Sequence, residues 1–409
     1  MSPQVVSYIV QSFFSFLDTL FLSATFSLLR PPEGMSQTEE LLRELIALPS
    51  VNPAFLPEGH PRSGEQRVGE FLAATAASAG LDVEFAPVLE GRSNLFARLP
   101  ARQKASRRVL LAPHLDTVNA LDSQFTPQKR NGKIFGRGAC DTKGSIAAML
   151  GALCHLARSG QRPAQTEIIF VGLVDEEYAQ AGSRALVRTK LKAELAIVGE
   201  PTSLRVVTTH KGSMWLKLET RGKAAHGSRP ELGVNAVHSM ARIVDLLETD
   251  YARQLRKRQH PVLGHPTINV GAISGGTQAN IVPDHCSILV DRRTLPGEEE
   301  KRITAAIQSL LRAHGLKATF SNLRDIPWLP LQTDLKLPLV AQFLKTIGQT
   351  RPAGVNFFSD ASVLSQAGIP SVLFGPGDIA YAHTPSEWVE TRSLDGAEAI
   401  LRQFLLSLP

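Results

Sequence analysis

Apolar and polar positions vary along the first half of the chain in a way that predicts helices and strands in turn. Residues 143–159 are small and apolar throughout, which is typical of a buried helix. Residues 167–174 and 195–198 are short apolar runs, as expected of strands buried on both faces. The alternation predicts an α/β fold with a mostly parallel central sheet flanked by helices. Further helices are predicted at 37–48, 65–79 and 183–188, and further strands at 83–86, 94–99 and 108–113.

The pattern changes near residue 206. Residues 213–221 alternate as a half-buried strand, and residues 235–248 carry the apolar stripe of an amphipathic helix. Two more strands, at 267–273 and 286–292, and a helix at 298–313 follow. The order strand-helix-strand-strand-helix-strand predicts a small α/β plait of the ferredoxin-like type.

The α/β pattern resumes after this plait, with apolar strands near 354–358 and 371–374. The chain has 409 residues, and a usual domain size of about 150 residues gives two or three domains. We therefore expect the plait, residues 206–319, to be inserted into a larger domain that residues 35–205 and 320–409 form together.

The first 34 residues are an apolar extension. Residues 8–29 are long enough to span a bilayer. No Lys or Arg precedes them, and Asp18 lies in their middle, which argues against an ordinary signal peptide and makes membrane insertion costly. The extension is interpreted either as a misassigned start, with Met35 as the true first residue, or as a membrane anchor or export segment. We expect a cytoplasmic protein whose membrane contact, if any, is through residues 8–29.

Composition excludes several classes of protein. Hydrophobic residues make up 43% and charged residues 20% of the chain, as in globular proteins. Cys140, Cys154 and Cys286 form no CxxC pair, so neither a disulfide scaffold nor a thiolate zinc site is predicted, and a reducing compartment fits. The net charge is +6, with scattered Lys and Arg. This balance favours an anionic small substrate over nucleic acid.

Acidic and imidazole side chains follow several of the predicted strands. They are His114, Asp116, Asp141, Glu176, Glu177, Glu200 and His383. In open α/β sheets, sites assemble at the carboxyl ends of strands, so we expect these side chains to meet. Crowded carboxylates need compensating cations, and carboxylates with imidazoles suit zinc or a related first-row metal. The sequence therefore predicts two divalent metal ions, with Asp116 holding the imidazole of His114.

The motifs HLDTV, GRGACDTKG, DEE, GEPT and AHTPSEW, in this order, resemble those of the M20 peptidase family of co-catalytic metallohydrolases. Within that family, the sequence is most similar to the acetylornithine deacetylase and succinyl-diaminopimelate desuccinylase branch, over residues 36–409. The resemblance implies a large zinc-hydrolase domain with two zinc ions per subunit, for which cobalt can substitute. It also implies a cis peptide bond between Asp141 and Thr142.

The resemblance assigns a role to each residue of the site. One zinc ion would be bound by His114, Asp141 and Glu200, and the other by His383, Asp141 and Glu177. Asp141 would bridge the two ions, and Glu176 would be the general base.

Residues of the inserted plait also take roles from the resemblance, which implies that the plait is a dimerisation domain and that the protein is a homodimer. His226 would steady the reacting carbonyl in the other subunit; the alternative is a surface turn. Asn280 would contact substrate, or merely cap a loop. Arg293 would bind the substrate carboxylate, or pair with Asp291.

Two points about substrate contacts stay open in the sequence. Arg292 adjoins Arg293, and the register of the strand decides which of them faces the substrate. Gly375, in the GPG turn, is expected to bring its backbone close to the substrate.

The function that the resemblance implies is hydrolysis of the amide bond of an N-acyl amino acid, most similar to acetylornithine deacetylation. Succinyl-diaminopimelate desuccinylation and dipeptidase or carboxypeptidase activity are alternatives, because the motifs are shared across these activities. A different class of function, a membrane-anchored binding protein without catalysis, is suggested by the apolar N-terminus alone.

Overall fold

A computed structural model of the protein describes residues 35–324 and 327–409. The extension of residues 1–34, with the segment 8–29, lies outside the described residues. The helices are α1 (Gln37–Ala47), α2 (Gln66–Ser78), α3 (Lys143–Arg158), α4 (Ala181–Arg188), α5 (Ala236–Leu246), α6 (Ala252–Arg256), α7 (Glu300–Ala313), α8 (Pro338–Thr346), α9 (Ala361–Gln366) and α10 (Thr391–Leu406). Within the two described ranges, none of the helices has the length and apolar character needed to cross a membrane.

Strands in three sheets complete the fold. They are β1 (Asp82–Leu89), β2 (Arg92–Leu99), β3 (Arg107–Pro113), β4 (Gln128–Arg130), β5 (Lys133–Phe135), β6 (Thr166–Gly172), β7 (Leu195–Gly199), β8 (Val207–His210), β9 (Gly212–Arg221), β10 (Thr267–Gly275), β11 (His285–Thr294), β12 (Thr319–Asn322), β13 (Leu331–Gln332), β14 (Ala353–Val355), β15 (Ser371–Phe374) and β16 (Trp388–Glu390). The smallest sheet has the order β16-β5-β4.

The large sheet has nine strands in the order β1-β2-β6-β3-β7-β15-β8-β13, with β14 paired to β8. Its four central strands, β6, β3, β7 and β15, are parallel. β1, β2, β8 and β13 make antiparallel pairs. The predicted α/β fold is confirmed, but the sheet is mixed, because parallel pairing is concentrated in the central strands that helical crossovers connect.

Strand β3 shows why the central strands are continuous apolar runs in the sequence. Val109 and Leu111 belong to one buried cluster, which also holds side chains of α1, α3 and α10. Leu110 and Ala112 point to the opposite face and belong to a second cluster, with side chains of α4 and α9. Helices therefore cover both faces of the sheet, and each strand buries successive side chains on opposite sides.

The predicted plait is present as a four-stranded antiparallel sheet in the order β10-β11-β9-β12. Side chains of α5 and α7 pack on one face of it around Leu218 and Ile288. The alternation of β9 places Trp215 on the opposite face, where it is 38% exposed. This α/β arrangement agrees with the strand and helix order predicted from the sequence.

Two short strands near the expected boundaries of the plait pair with a different sheet from the one that the sequence suggested. Strand β8, assigned to the insertion in the sequence analysis, pairs within the large sheet. Strand β12 was assigned mainly to the larger domain but pairs with β9 in the small sheet. Both strands are only four residues long, so they carry too little periodicity to show which sheet they join.

Candidate active site

The predicted site residues meet at one edge of the large sheet. His114 and Asp116 follow β3, and Glu200 directly follows β7. Glu176 and Glu177 follow β6 after a short turn, and His383 lies in the segment between β15 and β16. These are the carboxyl ends of the four parallel strands, which is where an open α/β sheet places its ligands.

Asp141, just before α3, lies between the two histidines. Its Oδ1 is 3.0 Å from Nε2 of His114, and its Oδ2 is 3.2 Å from Nε2 of His383. Nε2 of His383 is also 3.1 Å from Oε1 of Glu177. The structure therefore brings together two groups that share Asp141. They are His114, Asp141 and Glu200, and Asp141, Glu177 and His383, and in each group the candidate ligand atoms lie within 4.8 Å of one another.

Asp116 lies beneath this cluster and organises it. Its Oδ1 accepts a hydrogen bond from the backbone N–H of Glu176 (3.0 Å), and its Oδ2 accepts one from that of Glu177 (3.1 Å). Its carbonyl oxygen is 3.0 Å from Nδ1 of His114, so Nδ1–H donates to it and Nε2 points toward Asp141. Asp116 thus orients His114 through its backbone carbonyl and not, as the sequence analysis expected, through its carboxylate, whose Oδ1 is 3.6 Å from the same nitrogen. The carboxylate instead holds the turn that carries both glutamates.

A buried network missed by the sequence analysis supports that turn. Asp175, which precedes Glu176, has φ of +71°, a conformation that a non-glycine residue adopts only where its surroundings impose it. Its Oδ1 accepts hydrogen bonds from Arg92 (2.9 Å) and Asn52 (3.0 Å). Arg92 also donates to Glu65 through Nε (2.7 Å). No local motif marks this network, because its members lie far apart in the sequence.

The backbone of Asp141 is held by a second missed residue, Glu387. Oε1 of Glu387 accepts hydrogen bonds from the backbone N–H groups of Cys140 (2.9 Å) and Asp141 (3.0 Å). Its Oε2 pairs with Arg137, and both side chains are buried. The peptide bond between Asp141 and Thr142 is cis, as the resemblance implied. Glu387 belongs to the AHTPSEW motif, so the motif contained a signal that could have pointed to it.

Burial and crowding shift the pKa values of the cluster. Burial raises the pKa of Glu176, Glu177 and Glu200, and neighbouring carboxylates raise these pKa values further. Burial lowers the pKa of His383, but hydrogen bonds to Asp141 and Glu177 outweigh it and raise the pKa to about 10. The histidines therefore act as the counter-charges of crowded carboxylates, a role that metal ions would take over.

The donor set fits divalent metal ions. Oε1 of Glu200 is buried and has no hydrogen-bond partner among the residues that the structure describes. A buried carboxylate oxygen without a partner is costly unless a ligand satisfies it. Imidazole and carboxylate donors are those that zinc and related first-row metals accept.

The register of β11 separates the two adjacent arginines. Arg292 is fully buried on the helical side of the small sheet and pairs with Glu298 at 2.7 Å. Arg293 points to the other face, where its Cζ is 5.9 Å from the ring centre of Phe358. It also pairs with Asp291 at 2.9 Å, which was the alternative to substrate binding. Arg293 is therefore the arginine that faces Phe358, in the segment that follows β14.

His226 and Asn280 lie beside each other in the plait. The backbone N–H of Gly227 donates to the carbonyl oxygen of Asn280 at 2.7 Å, and both predicted residues are exposed. Nδ1 of His226 is 2.7 Å from the hydroxyl oxygen of Ser228. Within the described part of the chain, neither side chain hydrogen-bonds to any predicted metal ligand, so their roles stay predictions.

Gly375 has a visible packing role. An added Cβ would lie 2.2 Å from Oγ of Ser145 and 2.6 Å from the carbonyl oxygen of Glu200. Its N–H donates to Oγ1 of Thr202 (3.1 Å), and its carbonyl accepts from the N–H of Leu204 (3.0 Å). Glycine therefore lets the turn pass close behind Glu200. The expected contact between its backbone and a substrate stays a prediction.

The family and the relatives to which the chain is similar make it a hydrolase that acts on amide bonds. Residues 110–407 match the family described as peptidase family M20/M25/M40, and the chain belongs to this family. The similarity stated from the motifs is thereby confirmed.

Individual relatives show how far the similarity extends. An acetylornithine deacetylase from Klebsiella pneumoniae (strain 342) is 32% identical over 384 residues, which cover 89% of this chain and 96% of that protein. Aminopeptidase PepT from Bacillus cereus ATCC 10987 has a similar fold, with a TM-score of 0.73 and 22% identity over 90% of this chain and 97% of its own. The YXEP protein of Bacillus subtilis, a dinuclear metal-binding peptidase from the M20 family, has a TM-score of 0.65 and 13% identity over 90% and 96%.

Proposed function

We propose that this chain is a dinuclear metal-dependent amidohydrolase that hydrolyses the amide bond of N-acyl amino acids. The observation that carries the proposal is the position of Asp141, whose two carboxylate oxygens face two different histidines. The relative at 32% identity is named acetylornithine deacetylase, so N-acetylornithine is the first substrate to test.

The metal ligands in this proposal are those of the two groups that share Asp141. Zinc is the proposed metal, with cobalt as a substitute, because both accept imidazole and carboxylate donors. Such ions would lower the pKa of a bound water and polarise the carbonyl of the substrate. The chain itself has to orient the ligands, which Asp116 and Glu387 do through the contacts described above.

Glu176 is the proposed general base. It is buried, and the N–H of its backbone donates to Asp116, which fixes the turn from which its side chain extends. In the reaction, Glu176 accepts a proton from the attacking water as the new C–O bond forms. It then donates that proton to the amide nitrogen as the C–N bond breaks, which releases a carboxylic acid and an amine.

Arg293 and His226 are the proposed substrate contacts of the plait. The guanidinium of Arg293 would bind the α-carboxylate of the substrate, exchanging its contact with Asp291 for the ligand. His226 would donate a hydrogen bond to the carbonyl oxygen as negative charge develops on it. Since His226 makes no hydrogen bond to the cluster among the described residues, we propose that it serves the site of a second copy of the chain.

The edge of the plait supports such a homodimer. Strand β10 is the outermost strand of the small sheet, and its backbone has no partner strand on one side among the described residues. Exposed apolar side chains lie on this strand and on the adjoining loops, namely Ile273, Ile281, Val234 and Leu232. An exposed strand edge of this kind pairs readily with another chain, most simply about a twofold axis.

Substitution of the two adjacent glutamates tests the proposal. Glu176→Gln should abolish hydrolysis of every N-acyl amino acid that the wild-type protein hydrolyses, and it should keep both metals, because a carboxamide cannot accept the proton. Glu177→Gln should lose metal at one site, because it removes a ligand. Metal analysis of both purified variants checks this, with Glu390→Gln as the control carboxylate. The proposal fails if Glu176→Gln loses the metal and Glu177→Gln keeps it, or if the metal-loaded protein hydrolyses no N-acyl amino acid.

A further inference from the structure

Arg324, in the segment between β12 and β13, has no role in the site described so far. Its guanidinium is surrounded by aromatic rings: Cζ is 3.3 Å from the ring centre of Trp328 and 4.5 Å from that of Trp215. These rings come from the segment before β13 and from β9, so they hold the guanidinium where the plait meets the large sheet. Stacking of this kind fixes a guanidinium without neutralising its charge.

The guanidinium also lies at the turn that carries the proposed base. Nη1 of Arg324 donates to the carbonyl oxygen of Tyr178, the residue that directly follows Glu177. Burial lowers the pKa of Arg324, and the nearby charge of Glu176 opposes this shift. A guanidinium stays protonated at any physiological pH, so a fixed positive charge lies at the turn that carries Glu176.

One nitrogen of this guanidinium has an unsatisfied hydrogen-bond donor. Nε of Arg324 is buried and finds no hydrogen-bond partner among the described residues. Within the same part of the chain, Arg324 pairs with no carboxylate at salt-bridge distance, in contrast to Arg293, which pairs with Asp291. The edge formed by Nε and Nη2 of a guanidinium matches the two oxygens of a carboxylate.

Arg293 and Arg324 face the same aromatic stack. The rings of Trp328 and Phe358 are stacked with centres 4.0 Å apart. Arg324 lies against Trp328, and Cζ of Arg293 is 5.9 Å from the centre of Phe358. The two guanidinium groups therefore lie against the two rings of one aromatic stack, which places a second positive charge in the neighbourhood of a substrate whose α-carboxylate binds Arg293.

We propose that Arg324 is a specificity-determining residue that selects substrates with a second carboxylate. This inference rests on the proposed function, since it concerns the same reaction. The second carboxylate is carried either by the acyl group, as in an N-succinyl amino acid, or by the side chain of the amino acid. A cationic side chain, as in N-acetylornithine, would be repelled by the same guanidinium.

Matched substrates distinguish the two sources of the second carboxylate. N-acetylglutamate against its neutral isostere N-acetylglutamine tests the side chain, and N-succinylglutamine against N-acetylglutamine tests the acyl group. In at least one of these pairs, the zinc-loaded protein should have a kcat/KM about 10- to 100-fold higher for the more anionic substrate, as expected of a charged hydrogen bond. N-acetylornithine should be the poorest of the four.

Substitutions then connect the preference to Arg324. Arg324→Gln should remove the preference and change kcat/KM for N-acetylglutamine by no more than about threefold, because the carboxamide keeps part of the packing. Arg324→Glu should invert the preference, so that N-acetylornithine becomes better than N-acetylglutamate. The control is Arg302→Gln, which removes the same charge from a side chain that is 80% exposed on α7. Circular dichroism and metal content show whether each variant is folded and loaded.

The outcomes separate this inference from the proposed function. The inference is overturned if the wild-type protein does not distinguish the anionic substrates from N-acetylglutamine, or if Arg324→Gln lowers kcat/KM for all four by the same factor. The second result would mean that Arg324 has a structural role, holding the turn that carries Glu176 through its contact with Tyr178, and does not select substrates. If none of the four is hydrolysed by the metal-loaded protein, the proposed function itself is wrong.

Discussion

His210, the last residue of β8, is a buried imidazole whose neutral form is stabilised by the fold. Its Nδ1–H donates to the carbonyl oxygen of Lys211 (2.9 Å), and its Nε2 accepts from the hydroxyl of Ser359 (3.2 Å). Burial lowers the pKa of His210 from 6.5 to about 4. Between these two values the unfolded chain binds a proton that the native state does not bind, so stability falls as the pH falls.

His210→Gln should reduce this pH dependence. A glutamine can make both hydrogen bonds but cannot be protonated, so between about pH 7.5 and about pH 5 the variant should lose about 2 kcal/mol less of its free energy of unfolding than the wild type. Urea unfolding of both proteins in excess chelator checks this, since chelation removes the effect of pH on metal binding. Parallel losses in the two proteins would show that His210 titrates normally in the native state.

At the scale of single residues, the candidate site residues that could be predicted from the sequence are those that follow strands or belong to short motifs. His114, Glu200 and Asp141 could be predicted because a short motif sets each of them beside a strand end or helix start. Arg324 and Arg92 could not be predicted, because their partners lie far away in the chain and only packing brings them together. Local sequence patterns carry no information about such long-range contacts.

The segment between β15 and β16 contacts Asp141, the residue that the two groups of candidate ligands share. It carries His383, and Glu387 near its end holds the backbone of Asp141. Glu387→Gln would place an amide N–H₂ beside the buried Arg137 and leave that cation unpaired. We expect metal affinity to fall by about 10- to 100-fold, as is usual when a residue that orients a ligand is replaced.

Metal titration of apo protein by calorimetry measures this change. The matched control is Glu390→Gln, because Glu390 lies in the adjoining β16 and pairs with an exposed arginine, Arg392. The double variant Arg137→Met/Glu387→Gln should recover stability relative to Glu387→Gln alone, because it removes the unpaired buried charge. Metal affinity of Glu387→Gln within about twofold of wild type would show that Asp141 keeps its place without this contact.

At the scale of elements, long and strongly patterned segments were predictable. The helix predicted at 143–159 is α3, Lys143–Arg158, and the apolar run 167–174 overlaps all but the first residue of β6, Thr166–Gly172. Strands β4 and β5 were missed because each has three residues, and all of β4 is exposed. The buried side chains of α10, including Leu394, Ala397, Leu401 and Phe404, have helical spacing, so this helix could have been predicted from the sequence.

At the scale of the whole molecule, the chain divides the proposed site between two parts. The large sheet carries the candidate ligands and Glu176, whereas the plait carries Arg293 and His226. Arg293 faces Phe358 within the same chain, but His226 is exposed and contacts Ser228. A homodimer through β10 would supply His226 from a second copy, and a monomer would then lack a partner for the developing oxyanion.

Mixing two inactive variants tests this arrangement. His226→Ala and Glu176→Gln should each be inactive alone, since one lacks the oxyanion partner and the other lacks the base. In a heterodimer, one of the two sites combines an intact Glu176 with an intact His226 from the other subunit. Random exchange of subunits should therefore restore about a quarter of the wild-type activity per site. Subunit exchange, verified by mass spectrometry of differently tagged chains, without any recovery of activity would place His226 in its own subunit's site or outside catalysis.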